Sequence, residues 1–140
     1  VKKDGFTFFD KKKIKKEKNG LILIDPSYEI KDDYQKVISF INKNYDQFDN
    51  KIILIWYPLI NRNNTNEFID EFKKTGIKDI LRIEMPIKND SVEKGMTGSG
   101  LIGINTHKKT AQNLRGTIKE LQSCLQVKDN KKRVIVNYLR

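Results

Sequence analysis

Gly20-Leu21-Ile22-Leu23-Ile24-Asp25-Pro26-Ser27-Tyr28 drives an unbroken aliphatic run into an acid, a proline and an aromatic residue. Four consecutive aliphatic residues bounded by turn formers predict a fully buried strand of the kind found in parallel sheets. Pro26 lacks a backbone donor and stops the ladder, which places Asp25, Ser27 and an exposed Tyr28 at the strand's carboxyl end. Ligands of open α/β sheets bind at that edge. Asp-Pro followed by Ser and Tyr is also an ordinary strand-to-loop turn, and on these four residues alone the two readings stand level.

Outward from this stretch, apolar runs alternate with helical periodicity. Tyr34, Val37, Ile38 and Ile41 predict a helix over 32–44, and a second buried strand covers 51–57, ending at Trp56-Tyr57-Pro58. Phe68, Ile69 and Phe72 fall on one face of a helix over 63–75, closed by Gly76 as its cap. Residues 80–87 and 100–105 read as strands separated by a polar loop with Gly95, Gly98 and Gly100. No helix fits between them, so the pair is predicted antiparallel. A helix over 108–127 and a strand over 134–139 complete an α/β chain whose parallel sheet ends in an antiparallel strand pair. No internal repeat or interdomain linker is visible.

The composition fits one compact domain or most of one: 37% of the 140 residues are hydrophobic, with too few Gly and Pro for a disordered linker. No apolar run approaches the ~18 residues of a membrane-spanning helix, no secretory leader is visible, and cytosolic residence is the default. A single Cys and a single His exclude an internal disulfide and a zinc constellation. Cys124 shares a helical pattern with Leu121 and Leu125, which predicts a small core residue rather than a nucleophile. The net charge of +10 suits a polyanionic partner, although abundant Lys, Asn and Ile also follow from an A/T-rich genome. Lys11-Lys12-Lys13-Ile14-Lys15-Lys16-Glu17-Lys18 reads as a solvated face before a specific RNA contact, and Lys131-Lys132-Arg133 carries the same ambiguity.

Asp25-Pro26-Ser27-Tyr28 resembles the Asp/Asn-Pro-Pro-aromatic motif of methyltransferases that modify exocyclic amino groups of adenine or cytosine. The likeness extends along the chain. Asp4-Gly5-Phe6, Gly20 to Glu29, Asp33-Tyr34-Gln35, Trp56-Tyr57-Pro58, Thr75-Gly76-Ile77, Gly95 to Gly100 and Ile104-Asn105 resemble, in order and spacing, the second half of the large-subunit ribosomal RNA adenine-N6 methyltransferase J family. Two departures stand out. Ser27 replaces the motif's second proline, removing a ring that stiffens the loop carrying Tyr28, and Asn105-Thr106-His107 stands where the family has Asn-Pro-Pro.

The resemblance implies part of a Rossmann-like, class I methyltransferase fold using S-adenosylmethionine. It also implies that 1–140 is the C-terminal part of one catalytic domain, the cofactor's glycine loop lying in an absent N-terminal half. The intact protein is then expected to be a cytoplasmic monomer that N6-methylates an adenosine of large-subunit ribosomal RNA before full assembly, the fragment alone being inactive. Asp25, Pro26 and Tyr28 take the catalytic roles, Asp4, Gly5 and Asp25 contact the cofactor, and no metal or membrane takes part. Chemically, the adenine amine is a poor nucleophile, so acceptors must hold its N–H bonds as the methyl arrives; the Asp25 carboxylate and the Pro26 carbonyl suit this. Tyr28 would stack on an extruded base, worth about 1–3 kcal/mol. By resemblance Asp4-Gly5 meets the adenine end of the cofactor, whereas by itself it is a turn. Trp56-Tyr57-Pro58 either walls the base pocket or packs in the core, and Met96 to Gly100 either shapes the substrate side or simply connects two strands. A non-catalytic nucleic-acid-binding module and a protein for the use of external DNA are the alternatives.

Overall fold

The computed structural model describes residues 4–7, 19–30, 32–48, 50–90 and 95–139, so the lysine run 11–18 lies outside the described residues. Five strands, β1 (Gly20–Ile24), β2 (Lys51–Leu59), β3 (Leu81–Pro86), β4 (Gly98–Ile104) and β5 (Ile135–Tyr138), form one sheet in the order β1-β2-β4-β3-β5. Strands β1 and β2 run parallel, from Gly20↔Lys51 to Ile24↔Ile55. Strand β4 is wedged antiparallel between β2 and β3, and β5 pairs antiparallel with β3. The expected 80–87/100–105 pair is therefore present as a hairpin, with its second strand inserted inward beside β2.

Three helices, α1 (Asp32–Asn44), α2 (Arg62–Lys74) and α3 (Thr110–Leu125), connect the strands. Asp32 and Asp33 in the first turn of α1 and Lys43 in its last complement the helix dipole. Asn61 caps α2, its side-chain oxygen accepting from the amides of Asn63 and Asn64 at 2.9 and 3.4 Å. Gly76, at φ +74°, turns the chain out of α2 as its position in the sequence predicts.

Helices α1 and α2 close one face of the sheet. Their Val37, Ile41, Phe68 and Phe72 pack with Ile53, Ile55, Ile102 and Ile104 in the main core. On the opposite face α3 covers only the far end, where Ala111, Leu114 and Ile118 meet Leu81, Ile83 and Val136. Alternation puts Leu21, Leu23 and Ile52 on that second face, beyond the reach of α3. Leu21 and Leu23 are 65% and 64% exposed, which corrects the expectation of a strand buried on both sides. Strand β1 is an edge strand with one covered face. Cys124 is likewise exposed rather than in the core, because α3 turns the partly buried stripe 111, 114 and 118, with the buried Gln122, toward the sheet and 121, 124 and 125 outward.

Candidate functional site

The carboxyl end of β1 opens into a cleft of about 380 Å³. Ile22 to Ser27 form one wall, Asp4, Gly5 and Phe6 another, and Asp33, Lys36 and Phe40 enter from α1. Two segments some twenty positions apart, Asp4-Gly5 and Asp25-Pro26, thus share a single cavity. Asp25 is exposed, and no described residue donates a hydrogen bond to its carboxylate, so its acceptor capacity faces the cleft's solvent. Pro26 is half-buried behind it.

Asp4 heads a helical turn over 5–7, and its carboxylate accepts from the Thr7 hydroxyl at 2.5 Å and the Thr7 amide at 2.8 Å. These bonds, the hydroxyl's first, hold the Asp4 carboxyl below its ordinary range. Phe6 meets Phe40 edge-on at 5.2 Å between ring centroids, giving the cleft an aromatic side.

Tyr28 departs from the sequence reading. It is 6% exposed, sits at φ +53°, and donates its hydroxyl to the Trp56 carbonyl at 2.6 Å. Its ring lies 4.6 Å from that of Tyr34, with Trp56 and Phe68 behind. Burial pushes the hydroxyls of Tyr28 and Tyr34 up, so both stay protonated donors. The expected exposed aromatic is therefore a buried anchor: the left-handed turn at Tyr28 carries the ring back under the β1 loop rather than out into the cleft. Ser27, in the place of the motif's second proline, directs its hydroxyl to Asp33 at 3.4 Å, and Asp33 also takes the Lys36 ammonium at 2.9 Å.

Trp56-Tyr57-Pro58 does not face the cleft as a unit. The Tyr57 ring is fully buried over Gly100, where an added Cβ would lie 2.1–2.6 Å from three ring atoms. Its hydroxyl donates to Glu84 at 2.9 Å, and the wholly buried Glu84 also accepts from Arg62 at 2.8 Å and from Arg82 at 2.7 and 2.9 Å. Burial first, and then the Glu84 carboxylate, push the Tyr57 hydroxyl well up. Thr97 gives both its amide and its hydroxyl to the Leu59 carbonyl, at 2.6 and 2.8 Å. Gly98 and Gly100 thus belong to β4 and serve close packing, so of the expected connection only Met96 and Thr97 lie outside the strand. Glu84 and its arginines escaped the sequence reading, where the only signal was an acid at an inward strand position two residues after an arginine. Lys36 was missed as well, although it follows Asp33 by the three positions that bring helix side chains together.

Among the described residues, no group of three His, Cys, Asp or Glu gathers as a metal site, and no helix is long and apolar enough to cross a membrane.

Residues 1–136 match the family described as Ribosomal RNA large subunit methyltransferase D, RlmJ. A protein of Escherichia coli (strain K12) named Ribosomal RNA large subunit methyltransferase J is 41% identical over 124 residues, which are 89% of this chain and 44% of that protein. Its namesake from Haemophilus influenzae is 44% identical over 90 residues, 64% of this chain and 32% of the relative. The chain therefore spans less than half the length of either. A crystal structure of a Legionella pneumophila protein superposes with a TM-score of 0.74 at 28% identity, covering 86% of this chain and 44% of that one.

Proposed function

The chain belongs to the RlmJ family of ribosomal RNA large subunit methyltransferases, and from that premise we propose that the protein carrying it transfers a methyl group from S-adenosylmethionine to N6 of an adenosine in large-subunit ribosomal RNA. The observation that carries the reading is the convergence of Asp25-Pro26 and Asp4-Gly5-Phe6 on one cleft at the sheet's carboxyl edge. The strand order, with an antiparallel strand wedged beside a parallel pair, supports the reading of a partial class I methyltransferase fold.

The cleft suits a nucleoside. Its volume falls in the ~300–1,000 Å³ range of small-molecule sites, with an aromatic side at Phe6 and Phe40 and acceptors at Asp4 and Asp25. Asp4, Gly5 and Phe6 would hold the cofactor's adenosine end, and S-adenosylmethionine, when bound, supplies an electrophilic methyl group. Asp25 and the Pro26 carbonyl accept the two N–H bonds of the target amine, localising its lone pair and stabilising the positive charge that grows on N6. Asp25 acts as an acceptor while the methyl is transferred, and the N6 proton, acidic only after transfer, then passes to it or to solvent. Tyr28 positions this loop by tying it to β2 through the Trp56 carbonyl. We assign the glycine-rich cofactor turn to polypeptide outside residues 1–140, so this chain by itself is expected to be inactive, and the intact enzyme to work in the cytoplasm as a monomer.

The test follows labelled methyl from S-adenosylmethionine into stripped large-subunit ribosomal RNA, using the full-length gene product, with nucleoside analysis. Labelled N6-methyladenosine that disappears in Asp25→Ala is the expected result. Absence of transfer by a folded, cofactor-binding protein overturns it.

A further inference from the structure

The carboxyl edge of the sheet has a second built feature, at the end away from Asp25. Strand β5 begins on this edge because Ile135 pairs with Glu84 late in β3, and residues 126–134 lead into it from α3. Hydrogen bonds from three side chains hold this loop in one shape. Gln122 donates to the carbonyls of Pro86 and Lys132 at 2.6 and 3.0 Å. Asn89 donates to the Asp129 carbonyl at 2.8 Å and accepts from the Lys131 amide at 2.9 Å, while Asn130 accepts from the Lys132 amide at 3.0 Å. The Val127 amide adds a bond to the Ile87 carbonyl at 2.8 Å.

What this fixed loop presents is positive. Lys128, Lys131, Lys132 and Arg133 are all exposed. Lys132 is engaged with Asp90 at 2.7 Å, and Arg62 reaches the same acid at 3.4 Å, so that carboxylate is already neutralised. The side chains of Lys128, Lys131 and Arg133 form no ion pair with a described residue. Four strand spacings of about 4.8 Å put the loop roughly 19 Å from the β1 exit, on the same edge. His107-Lys108-Lys109 is comparably basic but follows β4, whose end pairs with Ile53, and so lies on the opposite edge.

We propose that the 126–133 loop grips the sugar-phosphate backbone of the substrate RNA beside the target adenosine held at Asp25. The proposal rests on the RNA methyltransferase reading and adds the surface that reading lacks. Cations on backbone phosphates supply affinity and register without reading sequence. A loop ordered before binding loses little freedom when the RNA arrives.

The experiment uses the full-length protein, wild type and with Lys128→Gln/Lys131→Gln/Arg133→Gln, titrated against labelled large-subunit ribosomal RNA across a salt series. Lys108→Gln/Lys109→Gln is the opposite-edge control, and Lys128→Arg/Lys131→Arg retains the charge. The triple variant should lower the slope of log K against log salt by about 2 units, at roughly 0.7–0.9 per phosphate contact, and weaken binding about tenfold at moderate salt. Its KM for RNA should rise with kcat at saturating RNA unchanged, while the control and the arginine variant behave as wild type. A triple variant with wild-type slope and affinity, or an equal loss in the opposite-edge control, overturns the grip while leaving methyl transfer by the wild type intact. Loss of transfer in the wild type itself overturns the functional reading instead. Wild-type binding to phosphatidylglycerol vesicles but not to RNA overturns RNA as the occupant.

Discussion

The exits of β1 and β2 lie side by side, and each leads an aliphatic strand into a polar or aromatic residue followed by proline, yet they are built in opposite ways. At β1 the ladder stops at Ile24, and Asp25 stands in a cleft where no described residue donates to its carboxylate. At β2 the ladder runs on through Pro58 to Leu59, and Tyr57 turns inward to donate its hydroxyl to a buried carboxylate that also accepts from Arg62 and Arg82. The difference lies in the hydrogen-bond accounting. Both carboxylate oxygens of Glu84 are engaged by side chains of the protein and serve the fold, whereas no described residue donates to Asp25.

That contrast makes stability and activity separable. Glu84→Ala strands two arginines and a buried phenol, and should lower stability by about 3–5 kcal/mol in urea unfolding. Asp25→Ala removes an exposed group without hydrogen-bond partners among the described residues and should stay within about 0.5 kcal/mol of wild type while abolishing methyl transfer in the full-length protein. Equal destabilisation by the two would remove the distinction. Gly100→Ala comes next. Its methyl must displace the Tyr57 ring, and a loss of about 2–3 kcal/mol is expected, with unfolding midpoints as the check. A silent Gly100→Ala would mean that Tyr57 is not held over β4.

The sequence predicts the elements well where one face is apolar and both ends are punctuated. Residues 32–44 are helical as expected, with acids opening the helix and Lys43 near its end, and Gly76 marks the turn after α2. The strand over 51–57 is longer than predicted because Pro58 is tolerated: β1 has already ended at Ile24, opposite Ile55, so the proline's missing amide points where no partner strand lies. Residues 98 and 99 belong to β4, not to the loop, because Gly98 packs against the Met85 carbonyl and Pro86, a contact invisible to periodicity. At the site, placing Asp25 and Pro26 at a strand's carboxyl end follows from composition alone. The direction of Tyr28 does not, because a positive φ at a non-glycine residue is set by tertiary contacts. Cys124 was misplaced for a related reason. Gln122 outcompetes it for burial by satisfying two carbonyls, and a hydropathy pattern gives glutamine no credit for that.

The buried anchor can be tested with a smaller change. Tyr28→Phe keeps the ring and removes only the hydrogen bond to the Trp56 carbonyl, so a loss of about 1 kcal/mol is expected. Trp56 is the chain's single tryptophan, and its emission reports directly on the contact. A shift in that emission together with reduced turnover would fit a positioning role. Unchanged emission and unchanged stability would instead return Tyr28 to the exposed, base-stacking position that the motif suggests.

The smallest effect belongs to the open face of β1. Leu21→Thr/Leu23→Thr introduces β-branched strand formers where two leucines already meet water, so the 140-residue chain should change stability by no more than about 0.5 kcal/mol. Ile24→Ala, one position beyond on the covered face, should lose about 2–3 kcal/mol by the cavity it leaves among α1 and β2. The two-sided strand that the aliphatic run predicts and the one-sided strand that is observed make different forecasts here. If the leucine pair costs as much as Ile24→Ala, β1 is buried on both faces in solution. If it costs little in this chain but several-fold more in the full-length gene product, the second face is covered there by polypeptide outside residues 1–140, and the run of aliphatic residues records a burial that this chain does not itself provide.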